Sequence, residues 1–289
     1  MSQRPARRRG RGRRALLILL LLTVFGAAFL WWSNRSLQVD RFTYASPRLP
    51  AGFDGCVVVQ LSDLHGAIFG ENNQDLVDAV RAENPDYIFL TGDLLDRYRR
   101  TPQSYAVDLG RAMAAIAPTY FVTGNHEWAL PDVPGLKAQL EEAGVTVLSN
   151  EFTTLERNGD AIVLAGIDDP NGPYDQKTPE ELSGEIHAAL GDPYVLLLAH
   201  RNEYYQVYGQ CGFDLTLCGH VHGGLIRLPF TDGLVDNTRR RFFPTHTAGL
   251  YPLDGGGTLM VSRGLGNGGI SFRLFNRPHL PVIVLKAGA

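Results

Sequence analysis

Cysteine is scarce: Cys56, Cys211 and Cys218 are the three in 289 residues. So small and odd a number excludes a disulfide framework. Two of them sit in apolar strand-like runs, where a buried, inert thiol is the expected role. Cys218 lies two residues before His220 but is expected to stay out of any metal site. Positive charge is also missing once the amino terminus is passed. Residues 1–14 carry seven arginines and no acid, and the rest of the chain holds 20 basic against 30 acidic residues. An acidic domain is poorly suited to a polyphosphate partner, so no nucleic acid is expected among its partners. Internal repeats are absent, and nothing is low-complexity apart from the arginine-rich tip.

The amino terminus does hold one long apolar run. Ala15 to Trp32 is eighteen residues without a charge. As a helix at ~1.5 Å per residue it spans roughly 27 Å, just enough to cross a bilayer core. Trp31 and Trp32 close it, as aromatic side chains do at the membrane interface. A cleaved secretory signal is the competing reading, but its apolar core is usually about 7–15 residues. No clean small-x-small site precedes Ser33, Gly26-Ala27-Ala28 being a weak one. Arg13-Arg14 before the run also loosely resembles a twin-arginine export signal. The expected organisation is a basic cytoplasmic tip (1–14), an uncleaved single-pass anchor in the cytoplasmic membrane (15–32), a polar linker (33–50) and a domain over 51–289. Because arginine-rich flanks stay inside, that domain is expected outside the cytoplasm.

From Gly55 onward the patterning alternates between strand and helix periods. Strands are expected at Val39–Tyr44 (an edge), Cys56–Leu61, Tyr87–Leu90 and Thr119–Thr123. Val145–Leu148, Thr153–Glu156 and Ile162–Ile167 are assigned to a second sheet. Tyr194–Leu198, Leu215–Cys218, Thr258–Val261 and Val282–Leu285 complete the set. Helices are expected at Asn73–Glu83, Tyr105–Ile116, Leu136–Ala143 and near Pro179–Leu190. Alternating βα units followed by β-rich segments indicate an α/β layered sandwich.

Five motifs then follow apolar runs in order: Asp63-Leu64-His65, Gly92-Asp93-Leu94-Leu95-Asp96, Gly124-Asn125-His126-Glu127, a lone His200, and Gly219-His220-Val221-His222. Loops at the carboxyl ends of strands are where open α/β sheets place ligands. Singly, each motif is common, and Gly-Asn-His suits an ordinary left-handed turn. Together they hold five of the eight histidines and supply the donors for two divalent metals side by side. Two ions roughly 3.5–4 Å apart need an anion between them, and Asp93 is the candidate. Asp63 and His65, at i and i+2, can point two donors at one ion. His220 and His222 repeat that spacing and can serve one ion each, while Asn125 adds an amide oxygen and His200 an imidazole. The residual positive charge of such a centre favours a phosphate ester. Mixed nitrogen and oxygen ligands suit manganese, iron or zinc better than calcium or magnesium. Asp168-Asp169 is read instead as a turn with Pro170-Asn171-Gly172. His187, His246 and His279 are taken as ordinary surface or loop residues.

In this order the motifs resemble the calcineurin-like metallophosphoesterases, over about residues 39 to 285. The resemblance implies a four-layer sandwich of two mixed β-sheets flanked by helices, here preceded by one transmembrane helix. It implies Asp63, His65, Asp93 and His222 around one metal, with Asp93, Asn125, His200 and His220 around the other. His126 is then no ligand but faces the phosphate or the leaving oxygen, with Asp96 orienting it. Arg97 follows Asp96 as a phosphate-binding arginine does in the protein phosphatase branch; a solvated turn residue beside Arg99 and Arg100 is the other reading. Gly223-Gly224, Arg227 to Phe230, Ser262 to Gly266 and Arg273 to Pro278 are similar to a bacterial subgroup of membrane-anchored or exported phosphodiesterases. The chain departs from the pattern at Arg201-Asn202-Glu203, at Leu225 and at His279. None of these is an expected ligand, so they bear on substrate choice.

The expected function is that of a dinuclear-metal phosphodiesterase acting on lipid-linked or envelope phosphoesters through a metal-bridging hydroxide. Pyrophosphate hydrolysis of UDP-2,3-diacylglucosamine in lipid A synthesis is the alternative, disfavoured because that lipid lies on the cytoplasmic leaflet. A non-catalytic metal-binding scaffold is the alternative of another class, although such scaffolds ordinarily lose ligands. Substrate choice is expected to reside in the loops Asp168–Lys177 and Thr231–His246.

Overall fold

The computed structural model describes residues 9–174, 176–228, 232–235, 242–268 and 272–288. Most of the arginine-rich tip, Phe230 and part of the 231–246 loop lie outside the described residues. A helix α1 (Arg9–Arg35) comes first, and its segment Gly12–Arg35 is long and apolar enough to cross a membrane. Leu16 to Leu22 and Phe25 are exposed, as the lipid-facing side chains of a single-pass anchor must be.

The elements that follow are β1 (Gln38–Ser46), β2 (Val57–Leu61), α2 (Gln74–Ala82), β3 (Tyr87–Thr91), α3 (Gln103–Ala114), β4 (Thr119–Val122), α4 (Val133–Glu142), β5 (Val145–Val147), β6 (Glu151–Arg157) and β7 (Asp160–Gly166). Then come α5 (Pro179–Leu190), β8 (Val195–Arg201), α6 (Tyr205–Gln210), β9 (Leu215–Gly219), β10 (Gly249–Pro252), β11 (Thr258–Val261) and β12 (His279–Ala287). Local chemistry sets several boundaries. Thr178 caps α5 by accepting from the Glu181 amide while Glu181 reaches back to the Thr178 amide, and Pro179 occupies the first turn. Asp132 caps α4 through the Gly135 amide.

Two six-stranded sheets result, ordered β1-β12-β2-β3-β4-β5 and β10-β11-β9-β8-β7-β6. Both are mixed. In the first, β2 to β5 run parallel while β12 is antiparallel to β2. In the second, β6 and β10 are the antiparallel edges of a parallel centre. Phe89, Val122, Leu164, Leu196, Leu217 and Ile283 fill the space between the sheets. Leu76, Val80, Leu136 and Leu140 pack helices on the outer face of the first sheet, and Leu182 and Ile186 do so on the second. These are the four layers expected. Leu196→Ala in the central layer is expected to cost about 2–5 kcal/mol, read as a lower urea midpoint at unchanged slope.

One strand assignment is corrected. Val145–Val147 does not open the second sheet; it pairs in parallel with β4 at the edge of the first. The short α4 crossover returns the chain beside the strand it has just left, as right-handed βαβ connections do. Residues 38–46, within the expected linker, form the other edge by pairing with β12.

Candidate metal centre

The parallel strands β2, β3 and β4 of one sheet and β8 and β9 of the other end at the same rim. Asp63 and His65 follow β2, Asp93 follows β3, Asn125 and His126 follow β4, and His220 and His222 follow β9. His200 lies inside β8, where the pairing with β9 shifts register between Leu198 and Arg201. Such an irregularity re-aims side chains. Gly124 and Gly219 allow the loops to close: a Cβ would lie 2.3 Å from Asp93 Oδ1 at the first and 2.2 Å from Asp63 Oδ2 at the second.

Three donor groups converge, each with its atoms within 4.8 Å of one another: Asp63, His65 and His222; His65, Asp93 and His126; and Asp93, His200 and His220. His65 Nε2 lies 3.1 Å from His222 Nε2 and 3.6 Å from Asp93 Oδ2. On the other side His200 Nε2 lies 3.1 Å from His220 Nδ1 and 3.3 Å from Asp93 Oδ2. Asp93 therefore stands between the two halves. All of these side chains are buried, and the Asn125 Oδ1 is buried without a hydrogen-bond partner.

The hydrogen-bond pattern turns one nitrogen of His200 and one of His222 towards the centre. His200 Nδ1 is 2.8 Å from the Thr91 carbonyl, which only accepts, so Nδ1 carries a proton and Nε2 is the nitrogen turned towards Asp93 and the centre. His222 Nδ1 lies 3.3 Å from the Gly266 carbonyl and 3.1 Å from Arg273 Nη2, so Nε2 is the nitrogen that faces the centre. Burial disfavours the imidazolium of His65, His220 and His222 and pushes their pKa values down. At His200 burial acts the same way, but the Asp93 carboxylate outweighs it and pushes the pKa up to about 10. Five of the residues are held in the left-handed backbone region: Asp63 (φ 51°), His65 (49°), Asp93 (54°), His220 (73°) and His222 (52°). That conformation costs non-glycine residues about 1–3 kcal/mol each and clusters at functional sites. Converging imidazoles, an anion between two histidine sets and an orphaned amide oxygen together fit two divalent cations that take nitrogen and oxygen ligands.

Around the donors, Glu127 is a hub that the motif reading left without a role. Its buried carboxylate accepts from the amides of Asp93 (2.8 Å), Leu95 (3.0 Å) and Gly124 (2.8 Å), tying the β3 and β4 loops together. Burial, with Asp93 nearby, pushes its pKa up to about 7 against the pull of those amides. Arg273, fully buried, is the other residue without a sequence role. It donates to the Arg263 carbonyl (2.7 Å), Asn267 Oδ1 (2.6 Å) and the Gly266 carbonyl, and its Nη2 is 3.1 Å from His222 Nδ1. Only its place in the tail motif hinted at this. Arg273→Met strands the Arg263 carbonyl and Asn267 Oδ1, at about 1–3 kcal/mol each when uncompensated. A fall in the thermal midpoint by several degrees, and weaker metal retention through His222, are expected; calorimetry and metal titration would read them.

His126 lies beside the centre, its ring 4.4 Å from that of His65, and its amide donates to Asp93 Oδ1 at 2.8 Å. Asp96 Oδ1 is 3.9 Å from His126 Nδ1, beyond hydrogen-bond reach, and accepts instead from the amides of Tyr98 (2.7 Å) and Arg99 (3.1 Å). The Arg97 amide, at 3.4 Å, is the group that faces His126 Nδ1. The Arg97 side chain is exposed over the Tyr98 ring.

The remaining polar residues sort themselves out. Asp168 pairs with Lys137 and Thr123, and Asp169 with Arg201 and the Asn171 amide. Cys218 is buried, with its thiol towards the Arg201 carbonyl and its pKa pushed up by burial. The reading of His187, His246 and His279 as plain surface or loop residues is corrected. His279 is fully buried at the start of β12, where its Nδ1 accepts from the Arg263 amide at 3.1 Å and burial pushes its pKa down to about 4. His187 is half-buried in the last turn of α5, and His246 stacks on Tyr205.

Residues 57–224 match the family model of the calcineurin-like phosphoesterases. A zebrafish (Danio rerio) transmembrane protein with a metallophosphoesterase domain is 30% identical over 94% of this chain, which spans 62% of that relative's length. A Bacillus subtilis metallophosphoesterase, YkuE, is 28% identical over 87% of this chain and 86% of its own. Among solved structures, the sulfate thiohydrolase SoxB from a Thermus species superposes with a TM-score of 0.51 at 13% identity, over 82% of this chain and 57% of its own, a likeness of fold.

Proposed function

Since the chain belongs to the calcineurin-like phosphoesterase family, we propose that it hydrolyses phosphodiesters at a centre of two divalent ions. The observation that carries this reading is the sharing of one site by Asp63-His65-His222 and Asp93-His200-His220, with Asp93 between them. Asp63, His65, Asp93 and His222 would hold one ion, and Asp93, Asn125, His200 and His220 the other. When bound, the ions supply Lewis acidity towards phosphoryl oxygens and lower the pKa of water. Their nitrogen and oxygen donors favour manganese, iron or zinc.

His126 acts on the leaving oxygen. With the Arg97 amide directed at Nδ1, the imidazole proton resides on Nε2, from which it is delivered to the departing alkoxide. Arg97 brings a guanidinium to the same edge and offsets charge on the phosphoryl oxygens. Asp96 keeps the intervening turn in shape through its two amide contacts. The membrane helix and the tail motifs support lipid-linked or envelope phosphodiesters as substrates, and the acidic domain argues against nucleic acid.

Purified protein with manganese should hydrolyse bis(p-nitrophenyl) phosphate, and a chelator should abolish the reaction. Fully loaded protein that stays silent on that diester and on p-nitrophenyl phosphate would leave the non-catalytic scaffold as the reading. Seven arginines before the apolar helix support a domain outside the cytoplasm. In a bacterial host, alkaline phosphatase fused after Ala289 should be active, whereas a cytoplasmic fluorescent fusion that matures normally would reverse the orientation.

A further inference from the structure

A cavity of about 680 Å³ lies between the end of α1 and the metal centre. That is within the size range of small-molecule sites, about 300–1,000 Å³. Asn34 and Arg35 form one wall. The stretch from Gly66 to Gly70, directly after His65, forms another. Leu265, Gly266 and Asn267 form the third, and the Gly266 carbonyl there faces His222. Arg99 completes the lining, and it and Arg35 are the charged residues among those described. The cavity is therefore suited to an anion.

Its position is set by the anchor. Arg35 ends the membrane-crossing segment, and Trp31 and Trp32 lie within one turn of it, so the cavity sits at the depth of lipid headgroups. The domain is fastened at that depth. Asn34 Oδ1 accepts from the Arg273 amide at 2.8 Å and Asn34 Nδ2 donates to the Arg273 carbonyl at 2.9 Å. Arg277 lies over the Trp32 ring at 4.8 Å, and Phe29 packs on Phe275 with ring centroids 5.3 Å apart. Arg273 in turn reaches His222 at 3.1 Å. The helix end and a metal ligand are thus separated by one residue. Ile68 in the cavity lining and Phe275, packed on Phe29 of the anchor, are exposed at 65% and 56%, a cost in water that disappears against acyl chains.

We propose that this cavity admits the headgroup of an anionic membrane phospholipid from the leaflet in which α1 ends. Its acyl chains stay in the bilayer along α1 and Ile68, Arg35 and Arg99 hold the headgroup, and the phosphodiester reaches the metals. The inference rests on the phosphodiesterase reading above. The reaction is plain hydrolysis: one P–O ester bond breaks and water supplies the replacing oxygen. One water proton leaves with the alcohol and the other passes to solvent.

The test uses the full chain, stripped of metal, in nanodiscs containing phosphatidylglycerol that carries a photoactivatable headgroup. Adducts are expected on the 66–70 stretch, and Arg35→Glu should reduce them about thirtyfold, as a change of two interfacial charges implies. Ile68→Asp, which leaves both arginines, should also reduce them. Adducts confined to residues 15–32, or unchanged in both variants, would overturn the entry site. Hydrolysis of dissolved bis(p-nitrophenyl) phosphate by the loaded wild type is measured in parallel. If that diester is cleaved while cavity labelling fails, the entry site alone is wrong. If it is not cleaved, the phosphodiesterase reading is what fails, whatever the labelling shows.

Discussion

Asp93→Asn should lower turnover of bis(p-nitrophenyl) phosphate by at least about 10³-fold, the scale of losing a central electrostatic contact in an active site. Metal content should fall with it, from two ions per chain to one or none. The substitution keeps the shape and leaves Oδ1 to accept from the His126 amide, at 2.8 Å in the wild type. What it removes is the negative charge between His65 and His200, at 3.6 and 3.3 Å from Oδ2. A unit charge pair at ~4 Å is worth about 4 kcal/mol at an effective dielectric of ~20. A carboxylate facing two dications carries several times that, so no hydrogen bond of the amide compensates. His187→Ala, in the last turn of α5, serves as the control and should change neither quantity. Elemental analysis beside the assay separates loss of metal from loss of chemistry.

His126→Ala should do the opposite to metal content. Both ions are expected to stay, while turnover drops by about 10²–10⁴-fold, the range for a general acid. The discrimination is needed because His126 also groups with His65 and Asp93 as donors close enough to share a cation. A ligand lost would show as a missing ion. An acid lost would show as a leaving-group effect: the deficit should be smaller for a p-nitrophenyl leaving group, which departs without a proton, than for an alkyl one. An equal deficit for both leaving groups, or loss of an ion, would remove His126 from the acid role.

Much of the site was legible because metal chemistry restricts residue types more tightly than packing does. Few side chains besides Asp, His and Asn offer the right donors, so the motifs stood out at strand ends, and the Asp63, Asp93 and five histidine side chains form three overlapping donor groups. Helix α5 was expected near Pro179–Leu190 and forms there, where Thr178, Pro179 and Glu181 fix its start through a specific hydrogen-bond exchange. Strand β5 was legible as a strand but not by sheet, since a three-residue apolar alternation says nothing about which neighbour it pairs with. Glu127 and Arg273 escaped for a different reason. Both act on backbone amides and carbonyls, groups that every residue owns and no sequence pattern records. His279 was misjudged because a buried neutral imidazole reads, in sequence, like any other histidine near a strand end. The Asp96–His126 contact inferred by resemblance is 3.9 Å long, a distance that only the conformation of the 96–99 turn decides.

The most direct test of the two-cation site is anomalous diffraction from crystals of the manganese-loaded protein. Two peaks are expected, roughly 3.5–4 Å apart. One should contact Asp63, His65 and His222, the other Asn125, His200 and His220, and Asp93 should touch both. A single peak, or two peaks with Asp93 bound to neither, would contradict it.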